Sequence, residues 1–303
     1  MIKIKTTSKI IIGDSTTMKE IGENEIHLMI TSPPYPMIKM WDNIFRSAIP
    51  EVKVLEQQME EETDKSKREK YVYEIYNLFH KYLENVWKET YRVLVDGGIA
   101  CINIGDATRK INGIFRLFPN HSKIIEICEK IGFITLPYII WKKPTNKPNA
   151  FLGSGFLPTN GYITLDVEYI LIFRKNGPRK FPPKDQLRYA SKFTKKERDV
   201  WFSQTWNIRG EKQNHSEFIR RTAAFPEEIP RRLIRMFSII GDTVLDPFLG
   251  TGTTAKMAME LQRNFIGYEI DEKLKPIIEK RLDINQTTLF KEDEIEINFV
   301  KRN

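Results

Sequence analysis

A strand that runs into two prolines must stop there, and the apolar run from Ile26 to Ile30 leads straight into Thr31-Ser32-Pro33-Pro34-Tyr35. The run reads as a short buried strand. Each proline lacks an N–H, fixes its own φ and pushes the residue before it towards extended geometry. The peptide after Thr31 is therefore stiff. It presents the Ser32 hydroxyl, the Pro33 and Pro34 carbonyls and the Tyr35 ring at a strand's carboxyl end, where open α/β sheets bind ligands. For the short motif alone, a plain Pro-Pro turn is an equally good reading.

A second stretch shifts that balance. Val244-Leu245-Asp246-Pro247-Phe248-Leu249-Gly250-Thr251-Gly252-Thr253-Thr254 reads as a strand, an acid and a loop with two glycines, followed by a helix from Ala255 to Leu261. Strand, glycine loop and helix is the geometry in which backbone closely approaches a nucleotide-like ligand. Phe265-Ile266-Gly267-Tyr268-Glu269 follows as a second strand ending in an acid, a residue type that accepts hydrogen bonds from ribose hydroxyls.

With these segments together, the chain resembles the S-adenosyl-L-methionine-dependent amino-methyltransferases of DNA. Ser32-Pro33-Pro34-Tyr35 is similar to their catalytic motif and Asp246 to Thr254 to their cofactor loop. The catalytic motif comes first, which is the order of the family's β group. The resemblance covers most of the chain and implies cofactor contacts from Thr31, Asp246, Phe248, Gly250, Gly252, Thr253, Thr254 and Glu269. Asp14, after Gly13, resembles the acid that holds the cofactor's adenine. Phe225-Pro226 and the following Pro230 to Ile234 resemble the segment leading into the cofactor loop. Asp166 to Phe173 resembles a late sheet strand, and its acids Asp166 and Glu168 receive no role.

Composition narrows the class. The 303 residues suffice for one large α/β domain with an elaboration. No apolar run approaches the ~20 residues of a membrane span, and the N-terminus lacks a signal-peptide core. Two cysteines, Cys101 and Cys128, imply no disulfide framework and suit a reducing cytoplasm, where the protein is expected. Four scattered histidines indicate no metal site. The net charge of +8 fits a polyanionic partner.

In chain order, seven strands are expected: 9–12, 26–30, 99–104, 136–141, 167–173, 243–246 and 265–268. Helices fall between most of them, which argues for a doubly wound, mainly parallel sheet. The resemblance implies the class I methyltransferase arrangement, a Rossmann-like fold. Residues 36–42 read either as a flap over the target or as core packing. The charged stretch 43–70 reads as an insertion, either an exposed helix or disorder. Tyr71 to Val93 is an amphipathic helix. Asp106, at a strand's carboxyl end, is a candidate acceptor for a proton from the target amino group, with a helix or turn cap as the alternative.

Positive charge is concentrated in two places. Lys142, Lys143 and Lys147 lie in a proline-punctuated loop suited to phosphates. Arg174 to Arg198 holds ten basic residues against two acidic ones, an excess equal to that of the whole chain. Within it Arg179, Lys180, Arg188, Lys195 and Lys196 are candidate DNA contacts. The expected division is 1–173 for the catalytic part, 174–215 for a basic target-recognition region and 216–303 for the cofactor part of the same domain. The tail after Leu282 reads as polar and weakly structured.

The exocyclic amino group of cytosine or adenine is a poor nucleophile, because its lone pair is delocalised into the ring. Acceptors that hold its N–H bonds free that lone pair, and the Ser32 hydroxyl and Pro33 carbonyl are suitably fixed. Tyr35 can stack on a base rotated out of duplex DNA. Cytosine C5 chemistry needs a cysteine nucleophile, and neither cysteine follows a proline. Among family members a first-position serine accompanies mostly cytosine-N4 activity and an aspartate mostly adenine-N6 activity. The expectation is cytosine N4, in a restriction-modification system, with a separate restriction endonuclease and a homodimer both compatible. Adenine N6, an RNA target and a non-catalytic DNA-binding protein are the alternatives.

Overall fold

The computed structural model describes residues 4–143, 161–210, 225–282 and 295–302. Along the chain the strands are β1 (Thr6–Ile12), β2 (Ile26–Thr31), β3 (Leu94–Ile104), β4 (Ala107–Ile111), β5 (Ile114–Phe118), β6 (Phe133–Lys142), β7 (Val167–Lys175), β8 (Thr205–Asn207), β9 (Thr243–Asp246), β10 (Asn264–Glu269) and β11 (Ile295–Lys301). Nine of them form one sheet in the order β11-β1-β10-β9-β2-β3-β7-β6-β8. Only β7 runs antiparallel to its neighbours. All seven expected strands are in this sheet, and β8 and β11 extend its two edges.

The helices are α1 (Asp42–Ala48), α2 (Pro50–Glu61), α3 (Lys65–Val93), α4 (Asn120–Ile131), α5 (Gln186–Ala190), α6 (Lys195–Trp201), α7 (Glu228–Phe237), α8 (Thr253–Glu260) and α9 (Lys275–Arg281). One face of the sheet is covered by α3 and α4. There Phe79, Leu83, Val86 and Trp87 are buried, and Phe45 of α1 stacks on Phe79 at 4.2 Å. On the other face Ile229 and Leu233 of α7, Ala255 and Ala258 of α8 and Ile278 of α9 form a second core. Both faces are covered, so the central strands read as continuous apolar runs rather than alternating ones.

One open reading is decided and two local expectations change. The charged stretch is helical: α2 begins with a proline, and α3 starts six residues early because Asp64 caps it by accepting from the N–H groups of Ser66 and Lys67. That first turn is polar, so hydrophobic periodicity does not reveal it. The described part of the tail, residues 295–302, is not weakly structured. Residues 295–301 pair in full register with β1, and Arg302 anchors the end on Glu20. Its alternation of apolar and polar residues is a strand signal. The β4–β5 hairpin was not expected either. It turns through Asn112-Gly113, both at positive φ, the signature of a type I′ turn.

β9 and β2 are neighbours, with Val244 opposite Leu28 and Leu245 opposite Met29. The connections from β9 lead outward to one side and those from β2 to the other. The glycine loop and the Pro-Pro-Tyr motif thus leave adjacent strand ends at the topological switch point.

Candidate active site

The Asp246 carboxylate is buried at the end of β9. Its Oδ1 accepts from Thr31 Oγ1 at 2.6 Å and from the Phe248 N–H at 3.0 Å, and its Oδ2 accepts from Thr254 Oγ1 at 2.6 Å. Burial pushes its pKa up to about 6 despite these three donors. Thr31, Asp246 and Thr254 therefore bind one another inside the protein and give the loop its shape. Gly250 and Gly252 sit at φ of 56° and 87°, the left-handed region that favours glycine.

Glu269 holds the loop from β10. It accepts from the Gly250 N–H and the Asp271 N–H, both at 2.8 Å, and burial pushes its pKa up to about 7. The Gly13 N–H donates to the Glu269 carbonyl at 2.8 Å, so the ends of β1 and β10 lie side by side. Asp14 follows, accepting from the Thr16 N–H at 2.5 Å and the Tyr82 hydroxyl at 2.7 Å. Phe225 and Pro226 are buried at the start of α7, and Phe248 meets Trp87 edge-on at 6.3 Å. Thr253 Oγ1 accepts from Arg281, and the buried Thr251 hydroxyl has no hydrogen-bond partner among the described residues.

Past β2, Ser32 is half-buried while Pro33, Pro34 and Tyr35 are buried. The Tyr35 hydroxyl donates to Glu168 Oε2 at 2.9 Å, lies 3.0 Å from Ser32 Oγ and accepts from Asn103 Nδ2 at 2.8 Å. Asn103 Nδ2 also donates to Glu168 at 2.7 Å, and Lys143 pairs with the other Glu168 oxygen. Burial, then the Glu168 charge, holds the Tyr35 phenol well above its ordinary pKa, so it is neutral. Glu168 had no role in the sequence. The readable signal was its register: it shares a strand face with the buried Ile170 and Ile172, where a carboxylate is costly without partners.

Residues 36–42 are pinned in place. Asn120, buried at the start of α4, donates to the carbonyls of Pro36 and Gly105 at 3.0 Å each. Arg109 donates to the Met37 carbonyl at 2.6 Å and pairs with the buried Asp42. Met37 itself is buried with φ of 66°, a strained conformation for a non-glycine residue. Core packing, not an open flap, describes this segment. Asp106 binds His121, both oxygens lying 2.8 Å from Nδ1, and accepts the His121 N–H at 3.2 Å, which places it as a brace at the start of α4. A cavity of about 750 Å³ lies in front, lined by Tyr35, Asp106, Arg109, Lys143 and Glu168 among others. That is ample for a small ligand or a single base.

The basic residues divide between the two ends of the sheet. Lys142 is exposed at the carboxyl end of β6, opposite Asn207 of β8. Lys143 turns inward to Glu168, and Lys147 lies outside the described residues. The segment after β7 goes the other way. Because β7 is antiparallel, its end emerges at the amino edge of the other strands. There Arg179 makes a two-pronged pair with Asp242, at 2.6 and 2.9 Å, just before β9. Arg188 stacks on Phe181, and Arg235 near the end of α7 donates to the Lys192 carbonyl at 3.0 Å. Lys180, Lys195 and Lys196 are exposed along this same segment. His27, which lines a cleft there with Arg179, is separated from Ser32 by the length of β2, roughly 17 Å. The structure therefore does not bring Arg179, Lys180, Arg188, Lys195 or Lys196 to the Ser32 edge.

A family model described as DNA methylase, covering N6 and N4 enzymes, matches residues 26–280. The chain belongs to the N6/N4 DNA methylase family. It is 70% identical over 285 residues to the type II methyltransferase M.MjaI of Methanocaldococcus jannaschii, covering 94% of each chain. It is 47% identical to the type II methyltransferase M.MthZI of Methanothermobacter thermautotrophicus, over 94% of this chain and 78% of that one. Among solved structures, a proposed DNA modification methylase of Thermus thermophilus, complexed with S-adenosyl-L-methionine, superposes with a TM-score of 0.70 at 29% identity. The match covers 96% of this chain and 99% of that one. The PvuII DNA methyltransferase shares the fold at a TM-score of 0.59 and 18% identity.

This DNA methyltransferase uses S-adenosyl-L-methionine, and its residues fit that cofactor. Three adjacent strand ends offer a left-handed glycine loop, the acids Glu269 and Asp14, and a Thr251 hydroxyl unpaired among the described residues. Among the described residues no group of histidine, cysteine, aspartate or glutamate side chains is placed to hold a metal ion, and no helix is long and apolar enough to cross a membrane.

Proposed function

We propose that this DNA methyltransferase methylates the exocyclic N4 of a cytosine rotated out of duplex DNA, as the modification half of a restriction-modification system. The observation that carries the reading is Ser32: a neutral hydroxyl, not an acid, opens the motif, and it is held against Tyr35 at 3.0 Å beside the cavity. S-adenosyl-L-methionine supplies an electrophilic methyl group. Asp14, Glu269 and the loop from Phe248 to Thr254 would hold it, with Phe225 and Pro226 alongside. Ser32 Oγ and the Pro33 carbonyl accept the amino N–H bonds and free the nitrogen lone pair. Tyr35 gives the base a face to stack on, and positioning supplies most of the rate.

Residues 1–173 and 216–303 would act as one domain. The position of Lys142, the β4–β5 hairpin and residues 208–210 after β8 supports DNA contact at the carboxyl edge, with Lys110 and Arg209 alongside Lys142. A separate endonuclease reading the same site would complete the system.

The test is nucleoside mass spectrometry on DNA from cells expressing the protein. N4-methylcytosine is the expected product. N6-methyladenine in its place moves the same chemistry to adenine. Neither mark, with the cofactor still bound in calorimetry, overturns the reading in favour of another nucleic acid.

A further inference from the structure

Glu168 is the one carboxylate that touches the Pro-Pro-Tyr motif among the described residues, and the scheme above leaves it unused. An ionised carboxylate only accepts hydrogen bonds. The Tyr35 hydroxyl must therefore spend its proton on Glu168 Oε2, 2.9 Å away. The Tyr35 oxygen is then left to accept, from Asn103 Nδ2 at 2.8 Å and from the Ser32 hydroxyl at 3.0 Å. With its proton turned to Tyr35, and with only a long 3.4 Å approach from Asn103 Nδ2, Ser32 keeps a lone pair for an arriving donor. One charge sets the direction of the whole chain. A serine needs such support, because a hydroxyl both donates and accepts, whereas an aspartate in its place would accept without help.

We infer that Glu168 is a positioning residue for methyl transfer, which fixes Ser32 as the acceptor of the target amino group and receives, through Tyr35, the proton that this group loses. The inference rests on the reading of Ser32 given above. In the step, the nitrogen lone pair forms the N–CH3 bond as the sulfonium's bond to that methyl breaks, its electron pair returning to sulfur. The nitrogen, now positive, releases a proton to Ser32 Oγ. Ser32 passes its own proton to the Tyr35 oxygen, and Tyr35 passes its own to Glu168. Charge balances: a cationic nitrogen and a carboxylate become a neutral methylamine and a carboxylic acid. Tyr35 relays rather than ionises, since burial keeps its phenol neutral. Lys143 supplies the counter-charge on the second Glu168 oxygen, and both residues line the cavity through which the proton leaves.

The experiment is transfer of tritiated methyl from S-adenosyl-L-methionine to unmodified genomic DNA, comparing wild type with Glu168→Gln, Glu168→Asp and Tyr35→Phe across pH. The expected result for Glu168→Gln is turnover slower by about 100-fold. KM for both substrates and the unfolding temperature should stay close to wild type, and the acidic limb of the kcat profile should vanish. Glu168→Asp should restore part of the rate. Adding Tyr35→Phe to Glu168→Gln should cost little more, because both cut one chain. A Glu168→Gln enzyme within about threefold of wild type, or one that keeps the acidic limb, overturns the inference while leaving the methyltransferase reading intact. A rate lost in parallel with cofactor binding or folding makes Glu168 merely structural and overturns it too. A wild type inactive on every DNA sinks the functional reading, and the inference with it.

Discussion

Thr31 Oγ1 donates to Oδ1 of Asp246 at 2.6 Å and so ties the strand end before the Pro-Pro-Tyr motif to the start of the glycine loop. The two residues lie 215 positions apart in the chain. The link means that a shift of either strand is felt by both halves of the site. It also fixes a buried carboxylate whose pKa is raised from 3.8 to about 6 by desolvation.

That raised pKa has a signed consequence. Between about pH 4 and 6 the folded protein holds a proton on Asp246 that the unfolded chain has released. Stability from this group is therefore present at low pH and falls as pH rises through 6. An Asp246→Asn variant removes the titration. Urea unfolding should show wild type gaining on this variant by on the order of 1 kcal/mol at pH 5 relative to pH 8. A difference independent of pH would mean that Asp246 is ionised throughout.

Glu269 adds a pH effect on binding to the same kind of effect on folding. Its pKa is pushed up to about 7, and a carboxylate accepts from ribose hydroxyls best when ionised. Affinity for S-adenosyl-L-methionine should weaken by roughly tenfold from pH 8 to pH 6, and Glu269→Gln should flatten that dependence. Calorimetry at pH 6, 7 and 8 measures both. Equal affinity for wild type at all three pH values would place the ribose elsewhere.

Gly250 is required by conformation rather than by space. Its φ is 56°, and a methyl group built there meets nothing closer than 4.0 Å. Gly250→Ala therefore costs about 1–2 kcal/mol of backbone strain in the loop, and Gly250→Asn costs less, because asparagine tolerates the left-handed region. Cofactor dissociation constants should rank wild type, Asn, Ala in order of weakening affinity. If alanine binds as tightly as glycine, the loop conformation does not matter for the cofactor.

The central sheet and both motifs were legible because they are local signals: apolar runs, a proline pair and a glycine loop mark their own positions. Glu168 was not, because its partners Tyr35, Asn103 and Lys143 come from other parts of the chain and meet only when β3 and β7 pair. The place of the basic segment was not legible for a related reason. Charge counting sees that residues 174–198 are positive, but only the antiparallel sense of β7 decides which end of the sheet receives them. β11 was overlooked because its polar positions hide a period-2 alternation in a hydrophilic tail.

Asp106 separates a bracing role from a chemical one. Its carboxylate holds the ring and backbone N–H of His121, whose ring stacks on Tyr169 at 4.0 Å. Asp106→Ala should lower stability by about 1 kcal/mol, the usual cost of a lost helix-start acceptor. Its turnover should stay within about threefold of wild type. Turnover slowed by about 100-fold or more, with an unchanged unfolding temperature, would return Asp106 to the proton path.

The distribution of charge makes the last prediction. A duplex that delivers a base to the cavity before Tyr35 must lie across the carboxyl edge of the sheet, where Lys110 lines the cavity and Lys142 and Arg209 are exposed. Lys180, Lys195 and Lys196 hang from the opposite end, where Arg179 is already neutralised by Asp242. Each phosphate contact releases counterions, so losing one weakens binding and lowers the salt slope by about 0.9. Charge reversal at Lys142 and Arg209 together should weaken DNA binding at least tenfold and reduce the slope by about 2. Reversal at Lys180, Lys195 and Lys196 should leave both nearly unchanged. Binding isotherms at several salt concentrations decide it. A steep loss from the second set alone would mean that DNA wraps past the edge to the far end of the sheet, and the carboxyl-edge footprint would have to be abandoned.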